Sequence, residues 1–86
     1  MNEVKIYTSA TCPYCIKAKK LLQMLKLEYS EYNVDNAFDD MCKELSEKYN
    51  KQIQTVPQII INDNYVGGYT DLEAMYKSGK LKELLH

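Results

Sequence analysis

Apolar positions along this chain switch between two periods. Val4 and Ile6, flanked by Lys5 and Tyr7, mark a short strand, and from Pro13 to Leu27 the apolar positions Cys15, Ala18, Leu22 and Leu25 recur at helical spacing. Glu28 to Val34 returns to alternation and reads as a second strand, parallel to the first because a helical crossover joins them. A second helix follows, capped by Asp35 or Asn36, with Asp39 and Asp40 in its first turn. Phe38, Met41, Cys42, Leu45 and Tyr49 form its inward stripe, and Asn50 is its stop. Beyond the polar linker Lys51 to Gln54, Thr55-Val56-Pro57 precedes Gln58-Ile59-Ile60-Ile61, whose apolar run suits a buried strand. Asn62-Asp63-Asn64 turns it back into Tyr65-Val66 as a hairpin, and Gly67-Gly68 releases the chain into another helix. Thr70 and Glu73 have capping-box spacing, Lys77-Ser78-Gly79 ends that helix, and Leu81 to Leu85 adds a short terminal one.

The order strand, helix, strand, helix, strand, strand, helix predicts an α/β fold: a four-stranded mixed sheet flanked by helices on both faces, in a thioredoxin-like arrangement. At 86 residues there is room for one domain, residues 1–86, with one modest core. A composition 45% hydrophobic and 27% charged is that of a chain that folds without a bound cofactor. The formal net charge of -1 excludes the basic excess of a nucleic-acid footprint. All 11 basic residues are lysines, so an anionic ligand must be held by backbone amides, polar side chains or ammonium groups rather than a guanidinium fork. Met1 to Tyr7 lack a charged leader followed by an apolar region, and no apolar run approaches a membrane span, so the expected location is the cytoplasm. Three cysteines, two close and one apart, suit a redox motif plus a core thiol in that compartment.

The close pair is Cys12-Pro13-Tyr14-Cys15, at the junction of the first strand and the first helix. Two cysteines separated by two residues close a disulfide within one turn, and a helix amino terminus favours the thiolate that performs exchange. Pro13 suits the first turn, where its missing N–H loses no helical bond. The bland alternative is half of a zinc site, but completing four ligands would require Cys42 and His86 from distant segments. Cys42, on the apolar stripe of the second helix, reads as a packed core thiol in preference to a regulatory thiol or a site of glutathionylation. The lysines of the first helix, Lys17, Lys19, Lys20 and Lys26, read mainly as a solvated face.

Read together and in this order, Cys12-Pro13-Tyr14-Cys15, Thr55-Val56-Pro57 and Gly67-Gly68-Tyr69-Thr70-Asp71 resemble the motifs of a dithiol glutaredoxin, over essentially the whole chain. The resemblance implies a glutathione-dependent thiol-disulfide oxidoreductase that reduces protein disulfides and protein-glutathione mixed disulfides. It maps the nucleophile to Cys12 and the resolving thiol to Cys15, and it implies that Cys12 lies before the first helical turn while Cys15 turns toward the core. It also implies a cis Val56-Pro57 bond whose Val56 backbone pairs with the cysteinyl part of glutathione. Gly68, Tyr69, Thr70 and Asp71 correspond to the segment that holds its γ-glutamyl end, with helix amides on the carboxylate and Asp71 on the ammonium group. Tyr14 borders the groove; Thr55 either contacts the ligand or serves its local backbone.

The resemblance implies glutathione as co-substrate, no tightly bound cofactor or metal, and a monomer whose partners are oxidised or glutathionylated proteins, with ribonucleotide reductase as a candidate. NADPH and glutathione reductase would act indirectly. One departure is Ser9, where many glutaredoxins carry a lysine that helps hold the glycyl carboxylate and the thiolate; Lys17, Lys51, Gln52 or Gln54 is left to replace it. Two rival readings are a redoxin coupled to thioredoxin reductase, and an iron-sulfur carrier with a glutathione-ligated cluster between two subunits, the latter disfavoured by Pro13 and Cys15.

Overall fold

The computed structural model describes residues 2–85. Four strands, β1 (Val4–Thr8), β2 (Ser30–Asn33), β3 (Gln58–Ile61) and β4 (Asn64–Gly67), form one sheet in the order β2-β1-β3-β4. β1 and β2 are parallel, whereas β1–β3 and β3–β4 are antiparallel, as the mixed sheet expected from the sequence requires. The helices are α1 (Pro13–Met24), α2 (Phe38–Tyr49), α3 (Tyr69–Ser78) and the short α4 (Leu81–Leu84).

Strand alternation divides the interior into two clusters. Val4 and Ile6 of β1, with Ile59 and Ile61 of β3, point to the face covered by Ala18 and Leu22 of α1, Leu72 of α3 and Leu81 of α4. Ile60 points to the opposite face, where Met41 and Leu45 of α2 pack with Val34 and Ile53, and Tyr7 borders them. β3 is thus buried on both sides along its whole length, which explains its unbroken apolar run. The single modest core expected from length is two clusters sharing one sheet. Gln58, the polar member of that run, is buried but satisfied. Its Nε2 donates to the Thr55 carbonyl and hydroxyl at 3.0 and 3.2 Å, and its Oε1 accepts the Tyr65 hydroxyl at 2.7 Å.

Local signals decide where elements stop. Asn62 and Asp63 both have positive φ, 50° and 66°, giving the two-residue hairpin that the Asx pair predicts. Asn50 ends α2 and Gly79 ends α3 in the left-handed region, as read from sequence.

Four boundaries differ from the sequence reading. α1 ends at Met24 rather than Leu27, because Lys26 turns left-handed at φ 59° and Leu27 N–H closes back on the Leu22 carbonyl at 3.0 Å. β2 starts at Ser30 rather than Glu28 and is an exposed edge strand. α2 is capped by neither Asp35 nor Asn36: its N-cap is Ala37, and the Asp35 carboxylate is engaged elsewhere. The Thr70–Glu73 capping box does not form, because α3 begins one residue earlier, at Tyr69. The Asp71 carboxylate there accepts the Gly68 N–H at 3.0 Å, while Glu73 accepts the Tyr69 hydroxyl at 2.7 Å.

Candidate active site

β1 delivers the chain to Cys12 at the N-cap of α1 with extended backbone, φ -108° and ψ 105°. There the sulfur does what an oxygen does at most helix starts: Sγ accepts the Cys15 N–H at 3.1 Å. Pro13 occupies the first turn, where no donor is missed. Sγ also lies 3.6 Å from the Val56 carbonyl, which accepts the S–H of the thiol form. Cys12 is half-buried, so a reagent can reach it.

Cys15 differs sharply although only one turn away. It is 1% exposed and faces the interior beneath α1. Burial pushes its thiol up to about 12, helped by its hydrogen bond to Cys12 and opposed by the Ser9 backbone amide. One sulfur is accessible and held by a helix amide; the other is stored as a buried thiol.

Beside Cys12 lies a groove of about 350 Å³ lined by Tyr14, Thr55, Val56, Pro57, Gly68, Tyr69 and Thr70. Seven of the eight ligand-contact residues expected from sequence are therefore gathered on one surface. The eighth, Asp71, sits in the first turn of α3 with its carboxylate on Gly68 N–H. The Val56-Pro57 bond is cis, as expected. Tyr14 and Tyr69 stack across one end with ring centroids 6.2 Å apart, and Lys17 Nζ lies 5.2 Å from the Tyr14 ring centroid. Gly68 passes close to the other wall: a Cβ there would meet the Pro57 carbonyl at 3.6 Å.

Several residues that shape this site carry no motif. Ser9 donates its hydroxyl to Asp35 Oδ1 at 2.7 Å, and Thr8 donates to Glu31 Oε2 at 2.8 Å. Lys19, read as solvated, pairs with Glu31 at 3.0 Å. Of the stand-ins for the absent lysine, Lys17 borders the groove through Tyr14, whereas Lys51 lies over Tyr65 at 5.8 Å from its ring centroid. The signal that could have found Asp35 and Glu31 is the parallel register, which sets Thr8 opposite Asn33. Cys42 is half-buried against the second cluster, where burial raises its thiol, in keeping with a packing role. Among the described residues, no group of three or more His, Cys, Asp or Glu side chains is gathered for a metal, and no helix is long and apolar enough to cross a membrane. His86, the distant ligand of the zinc alternative, lies outside the described residues.

Residues 4–66, which include the Cys12-Cys15 pair and the Val56-Pro57 loop, match the glutaredoxin family model. The chain is 45% identical over 85 residues to a glutaredoxin of Pseudomonas aeruginosa, covering 99% of this chain and 98% of that one. Its fold matches the solution structure of a dithiolic glutaredoxin from Trypanosoma brucei brucei with a TM-score of 0.84 at 39% identity, over 99% of this chain and 88% of that chain. The crystal structure of a buckwheat glutaredoxin-glutathione complex matches with a TM-score of 0.80 at 25% identity, over 98% and 76%. A family match over residues 4–66, a sequence match that runs nearly end to end and a fold match of TM-score 0.84 mean that this chain belongs to the glutaredoxin family of thiol-disulfide oxidoreductases.

Proposed function

We propose that residues 1–86 act as one cytoplasmic, monomeric glutaredoxin domain that reduces protein disulfides and protein-glutathione mixed disulfides with electrons from glutathione, Cys12 being the nucleophile and Cys15 the resolving thiol. The observation that carries this reading is the accessible Cys12 sulfur on the Cys15 amide, beside a groove sized for a tripeptide and floored by Val56 and Pro57. The glutathione bound by the buckwheat relative supports the choice of ligand.

With a glutathionylated protein, the Cys12 thiolate attacks the glutathione sulfur. A Cys12-glutathione disulfide forms, and the protein thiolate leaves and takes up a proton. A second glutathione thiolate then attacks the bound glutathione sulfur, releasing glutathione disulfide and restoring Cys12. With a protein disulfide, Cys12 forms the mixed disulfide and Cys15 displaces the substrate, leaving a Cys12-Cys15 disulfide for glutathione to reduce. In the groove the cysteinyl backbone of glutathione pairs with Val56. The γ-glutamyl carboxylate takes N–H groups at the start of α3, and Asp71, with Oδ2 committed to Gly68, meets the ammonium through Oδ1. Tyr14, Tyr69, Thr70 and Gly68 wall the ligand, while Thr55 works through Gln58 beneath it.

The test is NADPH oxidation coupled through glutathione reductase and glutathione, with a glutathionylated protein as substrate, beside the same measurement with thioredoxin reductase and no glutathione. Turnover in the first assay alone is expected. Turnover in the second alone would assign the chain to a thioredoxin-type donor, and visible absorption after anaerobic purification would point to a cluster carrier instead.

A further inference from the structure

A second groove, of about 440 Å³, lies between α1 and α3 and shares Tyr69 with the groove beside Cys12. Lys17, Leu21 and Met24 recur at i, i+4 and i+7 along α1, and Tyr69, Glu73 and Tyr76 do the same along α3. Each helix therefore turns one stripe toward the other. The two grooves are separated by a braced partition. Tyr14 stacks on Tyr69, whose hydroxyl donates to Glu73 Oε2 at 2.7 Å, and Lys77 Nζ lies 3.6 Å from Glu73 Oε1.

The second groove combines apolar surface with a local excess of positive charge. Met24 and Tyr76 are 59% and 43% exposed, and half-buried Leu21 and Tyr69 extend the apolar area they offer. Three lysines, Lys17, Lys20 and Lys77, stand against the one glutamate, in a chain whose formal net charge is -1. Glu73 is already engaged by Tyr69 and Lys77, whereas among the described residues neither Lys17 nor Lys20 forms a salt bridge. Ammonium groups on flexible stems suit carboxylates that arrive without one fixed geometry. From Lys17 to Met24 the α1 stripe is about 10 Å long, the span of about three extended residues.

We propose that the groove between α1 and α3 docks the client polypeptide: a segment next to its target cysteine lays an apolar side chain on Leu21, Met24 and Tyr76 and sets its carboxylates against Lys17 and Lys20. This rests on the reading of Cys12 as nucleophile and of the neighbouring groove as the glutathione site. The latter, at about 350 Å³, has room for a tripeptide, so a polypeptide chain must lie outside it while glutathione is bound. The second groove is the adjoining concavity, and its charge selects an acidic client.

The test uses glutathionylated peptides as substrates in the glutathione reductase-coupled assay. One carries a leucine and two glutamates beside the modified cysteine; in the others, lysines replace the glutamates or a serine replaces the leucine. The mixed disulfide of glutathione and 2-mercaptoethanol, too small to reach the second groove, is the reference. At low salt, kcat/KM for the acidic peptide should exceed that for the lysine peptide by about tenfold, a preference that falls below about twofold near 0.5 M salt. Loss of the leucine should cost about threefold. Lys20→Glu should remove most of the acidic preference and Met24→Ser the leucine preference, while both keep the reference rate within about twofold. Both side chains are exposed, so neither change disturbs the core.

Equal kcat/KM for the three peptides, or preferences unchanged in Lys20→Glu and Met24→Ser, would overturn the proposal. So would a raised KM for glutathione in Lys20→Glu with the reference substrate, which would give the groove to the reductant. A dimer in sedimentation that Met24→Ser dissociates would give it to a second copy of this chain. No turnover of the reference substrate by wild type would overturn the glutathione reading and the docking surface with it; turnover there without discrimination among the peptides overturns the docking surface alone.

Discussion

Two walls flank the cysteines, and they spend their polar groups in opposite ways. The groove wall, built from Tyr14, Thr55 to Pro57 and Gly68 to Thr70, presents aromatic faces and main chain to an open concavity. The anchoring wall, Thr8 to Ala10 against Glu31, Asn33 and Asp35, turns its polar atoms on one another at 2.7 to 3.3 Å. A wall with donors and rings left over is suited to a ligand, whereas one that has consumed its own hydrogen-bonding capacity is suited to holding a backbone still. Cys12 faces the first wall through Val56, whereas Cys15 is buried in the interior. The two sulfurs therefore differ in surroundings, one half-buried beside the open groove and the other enclosed by the fold.

The largest expected effect tests that asymmetry directly. Cys12→Ser should abolish turnover with both substrate types, because among the described residues no other thiol sits at a helix N-cap beside the groove. Cys15→Ser should retain deglutathionylation and lose most protein-disulfide reduction. Parallel assays of the two variants decide the matter: equal losses would mean that the walls do not divide the work.

The groove wall was legible in sequence because each part carries a local signal. A cysteine pair after a strand, a proline behind Val56, an Asx pair before Tyr65 and Gly67-Gly68 before a helix all constrain backbone within a few residues. The anchoring wall had no such signal. Asp35 precedes an amphipathic helix and reads as its cap, yet Ser9, 26 positions away, takes its carboxylate because β1 and β2 pair in register. Thr70 and Glu73 show the same weakness at short range: the spacing of a capping box was present, but Gly68 and Asp71 start the helix instead. Side-chain type predicted that caps and anchors would be made; only tertiary register decided by whom.

A second expected effect lies under the groove. Gln58→Ala strips partners from the Thr55 carbonyl and the Tyr65 hydroxyl in a buried strand. Thr55 is exposed and Tyr65 half-buried, so water replaces part of what is lost, and the net cost is about 1–3 kcal/mol in all. Urea unfolding should show a loss in that range, and KM for glutathione should rise while the dithiol-to-monothiol activity ratio stays fixed. A changed ratio would show that the two walls are mechanically coupled.

The third concerns the stored thiol. Cys15 is raised in the fold to about 12 from a usual 9.0, so between those values the folded protein keeps a proton that the unfolded chain has lost. The stability that Cys15 contributes is therefore complete below about pH 9 and declines as pH rises toward 12. Denaturant melts of the reduced protein at pH 8 to 11 should fall more steeply for wild type than for Cys15→Ala. Tyr7 and Tyr65, also raised by burial, act with the same sign in both proteins and cancel from the comparison. Parallel slopes would mean that Cys15 is not held as a thiol.

The smallest effect probes the boundary between the walls. Ser9 stands where many glutaredoxins have a lysine, and its hydroxyl is spent on Asp35 rather than on a ligand. Ser9→Lys removes that bond but places an ammonium group beside the same carboxylate, so anchoring by an ion pair replaces anchoring by a hydroxyl. Such a solvent-accessible charge is worth at most about 1 kcal/mol, or about fivefold in affinity. If the cation also reaches the glycyl carboxylate, KM for glutathione should fall by about two- to fivefold, and the gain should fade as salt is raised past the screening limit. If Asp35 keeps the ammonium to itself, KM will not move, and the anchoring wall will have shown that it remains closed to ligand even when given the charge to bind one.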